Sequence, residues 1–99
     1  MTWFVYIVRC RDGTLYTGCT NDLERRMRAH DAGRGARYTR GRGPIELLAS
    51  HRCRDQGTAL RIELAIKRLS RPEKLEAATD GRRWAAIARR ARDKSHLRR

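Results

Sequence analysis

Trp3-Phe4-Val5-Tyr6-Ile7-Val8-Arg9-Cys10-Arg11-Asp12-Gly13-Thr14-Leu15-Tyr16-Thr17-Gly18-Cys19 reads as a β-hairpin, and the rest of the fold builds on it. Trp3 to Arg9 is dense in β-branched and aromatic residues, which suits a strand. Arg11-Asp12-Gly13 is a three-residue turn with glycine where a left-handed backbone is needed. Leu15 to Cys19 then returns as a second strand. A turn of this length sets the register: Cys10 faces Thr14, Val8 faces Tyr16, and Tyr6 faces Gly18. Tyr6 and Tyr16 therefore share one face of the hairpin as diagonal neighbours, about 7 Å apart or less.

Beyond the hairpin, Asn21 to Ala32 reads as a helix, with Thr20 or Asn21 as its cap and Glu24 as the return half of a capping box. Leu23, Met27 and His30 recur at helical spacing and form its inward stripe, Arg26 lies one turn before His30, and Gly33 ends it. Gly33 to Pro44 is a loop of glycines and arginines with Tyr38 and no acid. Ile45 to Arg52 reads as a third strand with Ile45, Leu47 and Ala49 on one face. Thr58 opens a second helix running to Leu69, apolar nearly all round and so expected at the centre. Ser70, Pro72 and Glu73 start a short helix that Asp80-Gly81 breaks. Arg82 to Arg92 is a basic amphipathic helix with Trp84, Ile87, Ala88 and Ala91 on one face, and residues 93–99 are expected to fray.

The reading is an α/β protein of the α+β type: a small three-stranded antiparallel sheet flanked by helices. Its order is β-β-α-β-α-α over residues 1–80, with residues 81–99 as a basic C-terminal helix and tail. Ninety-nine residues allow one core. The longest apolar stretch, Trp3 to Val8, is far too short to cross a bilayer, and nothing at the start resembles a signal peptide. A cytoplasmic chain with reduced Cys10, Cys19 and Cys53 is expected, and no CxxC pair suggests zinc.

The formal net charge is +13. Residues 1–80 carry 16 basic and 10 acidic residues, and residues 81–99 carry 8 and 1. Twenty-one of the 24 basic residues are arginine, whose flat fork pairs with phosphate oxygens. A polyanion, and nucleic acid first, is the expected partner, with no membrane role.

The ordered set Phe4-Val5-Tyr6, Tyr16-Thr17-Gly18, Arg26 with His30, and Glu63 resembles the GIY-YIG nuclease domain. The resemblance covers roughly residues 3–79 and is strongest to small stand-alone bacterial members; it extends to the N-terminal nuclease domain of the bacterial repair excinuclease. Two positions depart from the pattern. Phe4 stands where the signature has its first glycine, and the single asparagine, Asn21, precedes Glu63 where many members carry one after it.

The resemblance implies a metal-dependent endonuclease that hydrolyses phosphodiester bonds in DNA, in structured, damaged or single-stranded forms met in repair or recombination. Arg26 would meet the charge that grows on the phosphoryl oxygens. Glu63 would hold Mg²⁺ or Mn²⁺ together with phosphate oxygens and waters, against the plainer reading of an i,i+4 ion pair with Lys67. Tyr6 would take a proton from the attacking water, and Tyr16 would position that water or the phosphate. His30 would relay a proton or hold Tyr6 by a hydrogen bond. Arg34, Arg37, Tyr38, Arg40 and Arg42 would clamp the nucleic-acid backbone, with Lys67 beside them. The competing readings are a DNA- or RNA-binding module with a decayed site and an RNA-associated basic protein. Oligomeric state is open at this level.

Overall fold

The computed structural model describes residues 2–32 and 44–97, with side chains through Arg92. Its elements are β1 (Trp3–Arg9), β2 (Leu15–Thr20), α1 (Leu23–Asp31), β3 (Glu46–Cys53), α2 (Gln56–Lys67), α3 (Arg71–Thr79) and α4 (Gly81–Leu97). The sheet order is β2-β1-β3, antiparallel throughout, so β1 is central and β2 is an edge.

The hairpin register matches the expectation. Tyr6 pairs with Gly18 and Val8 with Tyr16, and the Cys10 amide donates to the Thr14 carbonyl at 2.8 Å. Gly13 sits at φ 86°, the left-handed position the turn requires. Arg71, at the start of α3, donates to the Gly13 carbonyl at 2.7 Å and ties the turn to the helical layer.

Side-chain alternation splits β1 between two faces. Val5 and Ile7 point into the main core with Ala59, Ile62 and Ile66 of α2 and Trp84, Ala88 and Ala91 of α4. Burying each large aliphatic there is worth roughly 1.5–3 kcal/mol. Tyr6 and Val8 point the other way, toward α1, and are fully buried as well. The sheet is therefore covered on both faces, with α2, α3 and α4 on one side and α1 on the other.

The structure revises several local expectations. Asp22, not Thr20 or Asn21, caps α1 by accepting from the Arg25 amide, while Thr20 Oγ1 accepts from the Asp22 amide at 3.1 Å. Asp55, not Thr58, caps α2, so that helix starts three residues earlier. The cap choice follows geometry: an aspartate three residues before an amide reaches it without the crowding of a β-branched side chain. Ser70 caps α3 as expected, in a full capping box with Glu73.

Ile45, Leu47 and Ala49 do not share a face. The register shifts between the pairs Ile7–Ala49 and Val8–Leu47, leaving Leu48 as an extra residue, and Leu47 ends up 42% exposed. A bulge of this kind breaks period-two alternation and cannot be seen in it. Nor is α2 buried all round: Leu60 and Leu64 are 43% and 54% exposed. Helix α4 continues to Leu97, past the expected fraying point. Its Trp84, Ala88 and Ala91 join the main core. Cys10, Cys19 and Cys53 are free thiols. No helix among the described residues is long and apolar enough to cross a membrane.

Candidate active site

Four of the five expected residues form one cluster on the α1 side of the sheet. The rings of Tyr6 and Tyr16 are 6.3 Å apart, as the hairpin register requires. His30, brought down by the last turn of α1, meets both edge-on, at 5.8 Å from Tyr6 and 5.5 Å from Tyr16. The Tyr6 hydroxyl lies 2.9 Å from His30 Nε2. Arg26, one turn earlier on α1, hydrogen-bonds the Tyr6 phenol, and its charge is felt by Tyr6, Tyr16, Cys19 and His30 alike.

Gly18 makes this packing possible. A β-carbon there would sit 2.6 Å from the Tyr6 hydroxyl oxygen and 2.8 Å from Cζ. The second signature thus ends in glycine because the ring of Tyr6 lies directly over its backbone.

Glu63 comes from α2, on the other side of the sheet, and arrives at the β2 edge. Its Oε2 is 3.2 Å from Lys67 Nζ, and its Oε1 accepts a long hydrogen bond, 3.7 Å, from the Cys19 thiol. Its side chain is 13% exposed and that of Lys67 is 47%. The ion pair with Lys67 is therefore real. Glu63 also acts electrostatically on Tyr16, as does Lys67. Tyr16 is the link between the two halves: Tyr6, His30 and Arg26 on one side, Glu63, Lys67 and Cys19 on the other.

Protonation follows from burial. Desolvation, reinforced by Tyr16, pushes the Tyr6 phenol well above its ordinary value, and the nearby Arg26 offsets only part of this. Burial also raises Tyr16, with Lys67 pulling the other way. Desolvation, then the Arg26 charge, lowers His30. In the free protein the cost of burying a phenolate outweighs the pull of the neighbouring Arg26 charge on Tyr6. With a protonated phenol and a neutral imidazole, the direction of their bond is set by the His30 tautomer: Tyr6 donates when Nε2 is unprotonated and accepts when Nε2 carries the hydrogen.

This has a consequence for stability. His30 and His51 both have native pKa values below the usual 6.5, chiefly through burial. The unfolded chain then binds more protons between the native value and 6.5, so stability rises with pH across that window. Full histidine-linked stability is expected above about pH 6.5, with loss as pH falls through the native values. Urea midpoints measured between pH 7.5 and 5 check this, and His30→Gln should flatten part of the slope.

Cys19 was expected only as a reduced thiol, yet it touches Glu63. Burial, followed by the charge and hydrogen bond of Glu63, pushes its thiol up to about 11, so it stays protonated and can donate. Its place next to Gly18 on an edge strand was the available clue. Arg34, Arg37, Tyr38, Arg40 and Arg42 lie outside the described residues.

Among the described residues no three His, Cys, Asp or Glu side chains gather to cage a metal. The donor set still suits a hard divalent cation of the Mg²⁺ type, which commonly takes one or two carboxylates and completes its shell with phosphate oxygens and water. Glu63 supplies that one carboxylate.

Residues 2–76 match the family model described as the GIY-YIG catalytic domain. A UPF0213 protein of Xanthomonas axonopodis pv. citri is 53% identical over 73 residues, covering 74% of this chain and 72% of that one. A UPF0213 protein of Oceanobacillus iheyensis is 52% identical over 73 residues, covering 74% of this chain and 85% of that one. The solution NMR structure of a UPF0213 protein from Bacillus halodurans superposes with a TM-score of 0.53 at 44% identity, covering 80% of this chain and 84% of that one. The hairpin phenols, the α1 guanidinium and imidazole, and the α2 carboxylate accordingly sit in a chain that belongs to the GIY-YIG catalytic-domain family.

Proposed function

We propose that this protein is a metal-dependent endonuclease that hydrolyses phosphodiester bonds in DNA, acting in the cytoplasm on structured, damaged or single-stranded forms. The observation that carries the reading is Tyr16, which feels Arg26 and Lys67 as cations and Glu63 as a carboxylate at once. Cations to hold a phosphate and a carboxylate to hold a divalent ion meet at one partly exposed phenol.

Each residue has a task. Arg26 grips two phosphoryl oxygens and meets the charge that develops on them. Glu63 would hold Mg²⁺ or Mn²⁺, which when bound supplies charge neutralisation at the phosphate. Lys67 gives Glu63 a counter-charge until substrate arrives and then faces the phosphate. Tyr16 orients the attacking water. For Tyr6 to take the proton of that water, it must pass its own to His30 Nε2 along the 2.9 Å bond, which requires the tautomer that carries its hydrogen on Nδ1. The Arg26 charge disfavours the resulting imidazolium, and a phosphate bound to Arg26 removes that penalty. Proton transfer is thereby tied to substrate binding.

The net charge adds backbone affinity without base selectivity. Binding to a labelled oligonucleotide is expected to weaken steeply with salt under this reading. The deciding experiment is a panel of labelled duplex, flap, junction and single-stranded DNAs with Mg²⁺, Mn²⁺ or EDTA. Cleavage that needs the metal supports the reading. Tight, salt-sensitive binding with no cleavage of any member would leave a nucleic-acid-binding module instead.

A further inference from the structure

Two adjacent helices of the main layer, α2 and α4, carry the same pattern. On α2, Arg61, Leu64, Ala65 and Arg68 stand at i, i+3, i+4 and i+7. On α4, Arg83, Ala86, Ile87 and Arg90 repeat that spacing. These residues line a groove of about 490 Å³ between the helices, floored by Leu64, Ala65, Leu69, Ile87 and neighbouring alanines. The arginines stand at its borders, two turns apart on each helix, or roughly 10 Å. Leu64 is 54% exposed, and Leu60, one turn before it, is 43% exposed. The fold leaves this apolar strip uncovered, and neither the proposed chemistry nor the β2-edge site uses it.

The groove is also not a feature of the matched domain alone. The family match ends at residue 76, and α4 begins at Gly81. One wall therefore comes from outside the matched region.

We infer that the α2–α4 groove docks an acidic amphipathic helix of a partner protein. The floor offers apolar contact over two turns, the length of an i, i+3/i+4, i+7 anchor set, which is how a helix seats in a groove. The rim selects the flanking charge. Arg68 and Arg90 have no acidic partner among the described residues. Arg83 is already shared with Glu73 at 3.8 Å and Glu76 at 3.5 Å, and Arg61 bonds Thr58 Oγ1 at 3.3 Å. Glu73, the one acid on the lining among the described residues, is engaged by the Ser70 cap. The rim is thus net positive and matches acids at the edges of an incoming helix.

Other occupants fit less well. A second copy of this chain brings the same arginines to the same rim and a charge of +13 with them. Nucleic acid would find phosphate partners on the rim, but among the described residues no aromatic ring lines the groove for a base to stack on. A bilayer is flat, and an inward-curving groove does not lie on it.

The test uses the full chain and a synthetic peptide of about fourteen residues with leucines at i, i+3, i+7 and i+10 and glutamates beside them. The control is a scrambled peptide of equal composition. Binding is read by fluorescence anisotropy at about 150 mM salt and mapped by ¹⁵N–¹H shifts. The patterned peptide should bind at least roughly tenfold tighter than the scrambled one. Its shifts should centre on residues 61–69 and 83–91. Leu64→Glu, at an exposed position the fold tolerates, should remove that difference, and Arg68→Glu with Arg90→Glu, made separately in the parent, should weaken binding of the patterned peptide. Equal binding of the two peptides overturns the inference, because it leaves only general attraction between opposite charges. Full displacement by duplex DNA reassigns the groove to nucleic acid. Leu64-dependent binding to anionic vesicles without patterned-peptide binding reassigns it to a lipid surface.

Discussion

Glu63→Gln and Arg26→Ala should each lower the rate of metal-dependent phosphodiester cleavage by roughly 10²–10³, the usual cost of losing a group that meets developing charge. The two losses should have different signatures. In the proposed role Arg26 would touch the phosphate in the ground state and meet more charge at the transition state, so its removal should raise KM and lower kcat. Arg26→Lys keeps a charge but not the two-pronged grip, and should recover only part of the loss. Glu63→Gln removes the carboxylate while keeping shape, so its main effect should be a higher metal requirement and a lower kcat. Neither change should unfold the protein: Arg26 is half-buried, and the glutamine can still accept from the Cys19 thiol. Equal rates for both variants and the parent would remove the assigned roles. The double variant should fall well short of the product of the single effects if, as proposed, the residues act on one phosphate.

Gly18→Ala should be the most damaging single methyl group in the domain. The added carbon would stand 2.6 Å from the Tyr6 hydroxyl oxygen, 2.8 Å from Cζ and 3.0 Å from Tyr16 Cε2. Tyr6 cannot swing aside, because it is fully buried and bonded to His30. Overpacking of this kind costs about 1–3 kcal/mol. In a domain of this size each kcal/mol moves Tm by roughly 4–8 °C, so a fall of about 10 °C is expected. Activity should drop with it, since the Tyr6–His30 bond must break or shift. Gly57→Ala is the matched control. Its new carbon would meet neighbours no closer than 3.6 Å, inside a helix where alanine is preferred, so stability should hold or rise. An unchanged Tm for Gly18→Ala would mean that Tyr6 is not where the structure puts it.

Much of this arrangement is legible in the residues alone. The Arg11-Asp12-Gly13 turn sets the hairpin register, and the register places Tyr6 over Gly18 and beside Tyr16. Helical spacing places His30 on the inner side of α1 and Arg26 near it. Ser70 and Glu73 announce their capping box. What escapes a reading of the sequence has physical reasons. The bulge at Leu48 is an insertion in a pairing pattern, and pairing depends on the partner strand. Caps at Asp22 and Asp55 are choices among polar residues within one turn of each other that differ by one hydrogen bond. The outward exposure of Leu60 and Leu64 depends on how far α4 extends over α2, which no local window contains. The protonation of Tyr6 turns on depth of burial, and burial is a tertiary quantity. The contact between Cys19 and Glu63 joins residues 44 apart in the chain across the edge of a sheet.

The site also shows why a lone carboxylate is not an accident of helix composition. Glu63 is 13% exposed on a helix whose neighbours Ile62 and Ile66 are fully buried. Such a charge needs partners. Lys67 and the Cys19 thiol supply them in the free protein. In the proposed function these contacts would give way to a cation and a phosphate. The site is thereby held ready by an ion pair whose exposed half, Lys67, costs little to release.

If the α2 carboxylate and the hairpin phenols open into one place at the β2 edge, a cation held by Glu63 must lie close to both. Paramagnetic broadening by Mn²⁺ reads that proximity, on the ¹⁵N–¹H spectrum of the parent and of Glu63→Gln. Broadening should centre on residues 16–20, 26–30 and 60–67 and vanish in Glu63→Gln. Broadening centred elsewhere, or unchanged when Glu63 loses its charge, would mean that the carboxylate and the phenols do not share a site.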